Sequence, residues 1–161
     1  MLTIRLKKNP DGGASLTCTR ADGTVTWQRQ ESQQAAFFPR HDLTHFAVET
    51  VLAHKNGFYG LLAAGWDISD FGAPWPRGRI PPEADVSEAI VGFLDIERAS
   101  GERAAAGQLN EFLADRCVER GYAPSPPITD EELREIRRKR AELFARWDAI
   151  RPGEALELAY D

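Results

Sequence analysis

The chain has 161 residues, 42% of them hydrophobic and 28% charged, which is the composition of a folded domain and enough length to close one core without disulfides or a structural metal. Its formal charge of −5 gives no long-range attraction to phosphate backbones or anionic lipid, so nucleic acid and membrane surfaces are disfavoured as partners. The two cysteines, Cys18 and Cys117, stand in unrelated patterns and read as small apolar residues in a reducing compartment.

Met1 to Lys8 alternates apolar with polar or basic residues and lacks the continuous apolar run of a signal peptide, so a cytoplasmic protein is expected. Leu2, Ile4 and Leu6 form the apolar face of a first strand. Asn9-Pro10-Asp11-Gly12-Gly13 supplies turn chemistry, and Ser15 to Arg20 alternates again with Leu16 and Cys18 on one face. Ala21-Asp22-Gly23 turns the chain into Thr24 to Arg29, for which the spacing predicts Val25 and Trp27 inward. Residues 1–30 thus read as a three-stranded antiparallel meander.

Helical spacing begins after Phe38. Pro39 suits a first helical turn, and the helix is predicted from about Arg40 to Lys55. Asn56-Gly57 marks a stop, Phe58 to Trp66 a short buried helix, and Asp67 to Pro82 an irregular loop pinned by Trp66, Phe71 and Trp75. Helices over Glu83 to Ala99 and Glu102 to Arg120 form a hairpin. Thr129-Asp130-Glu131-Glu132 is a capping box opening a last helix, which Arg151-Pro152-Gly153 ends. Residues 154–160 alternate once more, with Leu156, Leu158 and Tyr160 on one side. The pattern predicts a single α+β domain over residues 1–161. In it, the 1–30 meander and the 154–160 strand make one antiparallel sheet, and four to five helices from residues 40–150 cover one face.

All three histidines fall in or just after Phe37 to Glu49. At 100° per residue His41, His45, Glu49 and Asp42 share about 100° of the helix surface, while the remaining faces are largely apolar. A titratable stripe on a buried helix must be hydrogen-bonded, paired or metal-bound. His41 and His45, one turn apart, are candidate ligands for a divalent transition metal, with a mixed His/carboxylate set suiting Zn, Mn or Fe(II). His41 and Glu49 lie about 12 Å apart along the axis, so a site would use His41 with His45, or His45 with Glu49, and take further ligands from Asp42, Asp67, Asp70 or Asp95. His54 falls on the opposite side and reads as structural.

Locally, His41-Asp42-Leu43-Thr44-His45 resembles the HDxxH element of the zinc-containing ubiquinone-biosynthesis family. That family continues with a glutamate twelve residues after the second histidine, where this chain has Gly57, and the resemblance is confined to these five residues. It implies that such a helix can hold a metal and assigns no family.

Two functions follow. In the first the metal drives hydrolysis or hydration, with Glu49 or Asp42 as the catalytic proton acceptor. In the second the stripe is structural, and a non-enzymatic adaptor meets a partner through the basic run Arg134 to Arg140 or the Trp66–Arg77 loop. That aromatic loop also fits the wall of a pocket for an apolar or sugar-like ligand. The P-loop, Gly-x-Gly-x-x-Gly and Gly-x-Ser-x-Gly patterns are all absent, which disfavours nucleotide and serine-hydrolase chemistry.

Overall fold

The computed structural model describes residues 1–161. Strands β1 (Leu2–Lys8), β2 (Ala14–Arg20), β3 (Val25–Gln30) and β4 (Ala155–Tyr160) form one antiparallel sheet in the order β3-β2-β1-β4. Leu2, Ile4, Leu6, Leu16, Cys18, Leu156, Leu158 and Tyr160 are buried on one face, as their alternation predicts. Five helices cover that face: α1 (Gln33–Val51), α2 (Phe58–Ala63), α3 (Pro82–Ser100), α4 (Ala106–Arg120) and α5 (Asp130–Ala149). The fold is α+β, and no helix is long and apolar enough to cross a membrane.

Strand β3 runs opposite to the expected facing. Val25 and Trp27 are 50% and 64% exposed, whereas Thr26 and Gln30 are buried. The reason lies in the ladder, which pairs Leu16 with Gln28 and Cys18 with Thr26. Directly paired residues share a face, so the apolar side of β2 carries Thr26, Gln28 and Gln30 inward with it. The turn holds that register, with Asp22 Oδ1 accepting from the Thr24 amide at 2.9 Å. The inward polar groups are mostly satisfied: Thr26 Oγ1 accepts from the Ile68 amide and Gln30 Nε2 donates to Asp42 Oδ2. A polar strip therefore faces the helix that follows.

Helix α1 begins well before Arg40, with Pro39 inside it. A proline there forfeits the bond to the carbonyl four residues back and crowds it, costing about 3 kcal/mol. The preceding turns compensate by packing: the Phe37 and Phe38 rings lie 5.3 and 5.9 Å from the His41 ring, and the Arg98 guanidinium lies over Phe37. At the other end α1 stops at Val51, short of the expected Lys55, because Ala53 turns left-handed at φ 54°. Helix α1 then lies on the sheet between α3 and α5.

Helix α4 starts later than the reading from Glu102. The Glu97 carboxylate accepts from the Ala104 amide and Arg137 donates to the Ala104 carbonyl, which holds the preceding segment out of the helix. The capping box of α5 forms as its sequence indicates, Thr129 Oγ1 accepting from the Glu132 amide and Glu132 Oε2 from the Thr129 amide. In the Asp67–Pro82 loop, Trp66 and Phe71 pack on the core and on each other at 5.3 Å, while Trp75 stays 48% exposed. Cys18 and Cys117 are both free and buried.

Candidate metal centre

The stripe on α1 is buried as its surroundings require. Asp42, His45 and Glu49 are all but inaccessible, and His41 is partly covered. The two imidazoles lie edge to face with ring centres 4.9 Å apart. Their third companion comes from α3: Glu88 Oε2 is 2.9 Å from His45 Nε2 and 3.7 Å from His41 Nε2. One ligand atom from each of His41, His45 and Glu88 falls within 4.8 Å of the others, a group that could hold a metal ion.

Both imidazoles are braced from behind. His41 Nδ1 lies 2.8 Å from Asp95 Oδ2, and His45 Nδ1 lies 3.1 Å from Glu49 Oε1. An ionised carboxylate only accepts, so each Nδ1 carries a proton and each Nε2 is turned toward Glu88. A carboxylate behind each histidine is the arrangement that orients imidazole ligands in metal sites.

Glu49 is consumed by this bracing and by the start of α2. Its Oε1 also accepts from the Phe58 amide and its Oε2 from the Tyr59 amide, both at 2.9 Å. These are orphan N–H groups of a helix N-terminus, for which a carboxylate is a natural partner. Gly57 is needed for the approach, since a Cβ there would overlap the Glu49 carboxyl group. The residue at that position is therefore small because a carboxylate arrives from α1.

The remaining expected ligands are placed as follows. Asp95 reaches the cluster as the partner of His41 Nδ1. Asp42 is adjacent, but its Oδ2 accepts from Gln30 Nε2 at 2.8 Å. Asp67 pairs with Arg20, and Asp70 accepts from the Asp67 amide and Arg77, so neither is brought to the histidines. His54 lies apart, its Nδ1 2.7 Å from Ser87 Oγ. The sequence reading missed Glu88, which looks like an ordinary surface glutamate and is half exposed. The available signal was its spacing from Asp95: seven residues are two turns, which puts both carboxylates on one face of α3.

Electrostatics in the metal-free protein follow from these contacts. Burial works to lower the pKa of His45, but its bonds to Glu49 and Glu88 outweigh that and raise it to about 10. The bond from His45, opposed by burial, brings Glu88 down to about 2. Asp42 is pushed up to about 6 by burial, with the Gln30 bond and the histidines opposing. His45 is thus an imidazolium clamped between two carboxylates until something replaces its Nε2 proton.

The cluster opens into a cleft of about 520 Å³ whose walls include Phe38, Phe58, Phe71 and Trp75 and whose floor includes Asp42 and Glu88. The basic run of α5 is largely engaged elsewhere. Arg137 and Arg140 bind Glu97, and Arg138 binds Glu135 and Glu142. No protein family, curated protein or solved structure matches this chain, so the function is argued from the site itself.

Proposed function

We propose that His41, His45 and Glu88 hold one divalent transition-metal ion, zinc, manganese or iron(II), and that the protein uses it for metal-assisted hydrolysis or hydration. The observation that carries the reading is the convergence of three donors from two helices, with both histidines braced on the far nitrogen by a buried carboxylate. Ligands at metal–nitrogen and metal–oxygen lengths of roughly 2.0–2.2 Å stand about 3–3.5 Å apart around a tetrahedral ion. The two spacings to Glu88, 2.9 and 3.7 Å, are close to that, and all three donor atoms lie within 4.8 Å of one another.

Two histidines and one carboxylate leave coordination positions for water and substrate, and the cleft gives access to them. An ion held there would acidify a bound water. Asp42, which lines the same cleft, would take up the released proton. Glu49, with both oxygens engaged, acts by holding His45 in place. The ion takes over the role of the His45 proton, so binding releases protons and strengthens as pH rises.

The test is elemental analysis of protein purified without added metal, on the wild type and on a His41→Ala/His45→Ala pair. The expected result is about one equivalent of transition metal in the wild type and none in the pair, with EDTA lowering wild-type thermal stability. Less than about a tenth of an equivalent in the wild type, with melting unaffected by EDTA, would overturn the reading.

A second reading, a non-enzymatic binding protein that meets a partner through the Trp75 loop or the basic face of α5, is supported by the exposure of Trp75. A pull-down in which no captured protein responds to charge reversal at the exposed Arg138 or to Trp75→Ala would remove it.

A further inference from the structure

The cleft that opens over the histidines has an uneven chemical make-up. Its walls are rings and branched apolar side chains: Phe38, Phe58, Phe71, Trp75, Ile68 and Ile80. Its polar lining holds three carboxylates, Asp42, Asp85 and Glu88, beside the two histidines, Gln28 and Ser69, and neither a lysine nor an arginine lines it. Asp85 is answered from behind by Arg116 at 2.6 Å, which leaves Asp42 and Glu88 facing the space without a guanidinium or ammonium partner. The one cationic group on the lining, the His45 imidazolium, is already held between Glu49 and Glu88, so an entering phosphate or sulfate meets mainly carboxylates, whereas a neutral or cationic group finds acceptors.

Trp75 adds an independent observation. It is the largest apolar side chain on the rim, 48% exposed, on a backbone held at φ 58°, a region that bulky residues avoid. Its amide donates to the Gly72 carbonyl and its carbonyl accepts from the Gly78 amide, both at 2.8 Å, so the loop fixes the residue in that conformation. Strained backbone that presents an exposed aromatic to a cleft is a feature of ligand clamps. The ring gains little from the core, to which Trp66 and Phe71 already anchor the loop.

We propose that this cleft takes a small ligand combining a flat apolar ring with an uncharged or cationic polar group, and that Trp75 is the residue that selects the ring. The proposal names the substrate class of the metal site described above, and rests on that reading for the reaction but not for the binding. The ring lies against Trp75 and the phenylalanine walls, where offset stacking and exclusion of water favour it. The polar group points to Asp42, and in the metal-free protein also to Glu88, which an ion would otherwise occupy. An ammonium group gains further from the negative faces of the surrounding rings.

The experiment uses three probes that share one ring and differ in charge: tryptamine, indole-3-ethanol and indole-3-acetate. Binding is measured by titration calorimetry and saturation-transfer NMR on the full chain, first metal-free and then with zinc added. The expected order on metal-free protein is tryptamine and indole-3-ethanol ahead of indole-3-acetate by about tenfold or more. Trp75→Ala should weaken tryptamine by about tenfold and Trp75→Phe should restore most of it, with thermal melting of both variants near that of the wild type. Indole-3-acetate binding as well as tryptamine to metal-free protein would overturn the proposal, as would binding indifferent to Trp75→Ala or no binding of any probe at millimolar concentration. Zinc bound without any probe binding sinks only this proposal. Probe binding with no zinc uptake sinks only the metal reading.

Discussion

Helix α3 carries two buried charge networks within three turns, and they are solved in opposite ways. Glu97 is saturated: its oxygens meet Arg137 at 3.1 Å, Arg140 at 3.3 Å and the Ala104 amide at 3.3 Å, and all three side chains are largely covered. Every charge in it has a partner. Around Glu88 the same helix meets two imidazoles whose Nε2 atoms converge on a single carboxylate that is 56% exposed, at the floor of an open cleft. A closed network ties α3, the connection to α4 and α5 together, while an open one has room for a further atom. What separates a fastening from a site is the unsatisfied valence facing solvent.

The largest effect should come from breaking the closed network. Glu97→Ala leaves two covered guanidinium groups without their carboxylate and is expected to cost about 3–5 kcal/mol in urea unfolding, with metal content per folded molecule unchanged. A loss below about 1 kcal/mol would erase the contrast. Next comes Gly57→Ala, which forces the Glu49 carboxylate away from the amides of Phe58 and Tyr59 and from His45. Overpacking of this kind costs about 1–3 kcal/mol, and loss of a bracing carboxylate weakens a metal ligand by roughly 10–100-fold. Zinc competition against a chromophoric chelator reads the second effect, and an unchanged affinity would show that Glu49 serves α2 alone.

The two networks should also fail at opposite ends of the pH scale. Arginine partners, against the opposing effect of burial, lower the Glu97 pKa below its ordinary 4.5, so its contribution is present above that value and is lost as pH falls through the depressed one. His45 in the metal-free protein is raised from 6.5 to about 10, so its contribution is complete below 6.5 and is lost as pH rises through about 10. The stability difference between wild type and Glu97→Gln should shrink in acid, and that between wild type and His45→Gln in alkali. Parallel pH profiles would refute the assignment. The smallest effect on stability belongs to Glu88→Gln: about 1 kcal/mol, because the side chain is half exposed, yet with zinc affinity reduced by more than about tenfold.

How much of this was written in the chain depends on which residues carry their own signal. Alternation in Leu2-Ile4-Leu6 and Leu156-Leu158-Tyr160 announced the sheet because one face of each strand is wholly apolar. In β3 the rule failed, since Trp27 and Val25 outscore Thr26 and Gln30 as core residues and only the pairing with β2 decides the matter. The i, i+4 histidines were legible from helical geometry alone. Glu88 was not, because its role comes from how α3 crosses α1, a tertiary fact absent from local spacing. Pro39 misled in a similar way: as a first-turn residue it is free of cost, and only the packing of Phe37 and Phe38 allows helix ahead of it.

The β1–β4 ladder, in which Leu2 faces Tyr160, also governs the order of assembly. The β1–β2–β3 meander and the α3–α4 hairpin consist of neighbours in sequence and can form within microseconds, but β4 must close a loop that contains every helix. When it does, the Tyr160 hydroxyl donates to the His54 carbonyl, just past the end of α1. Closure of the most distant contact in the chain therefore secures the segment that follows the helix of His41 and His45. Folding rate and acquisition of metal affinity should then share one slow kinetic phase, set by the arrival of the last strand.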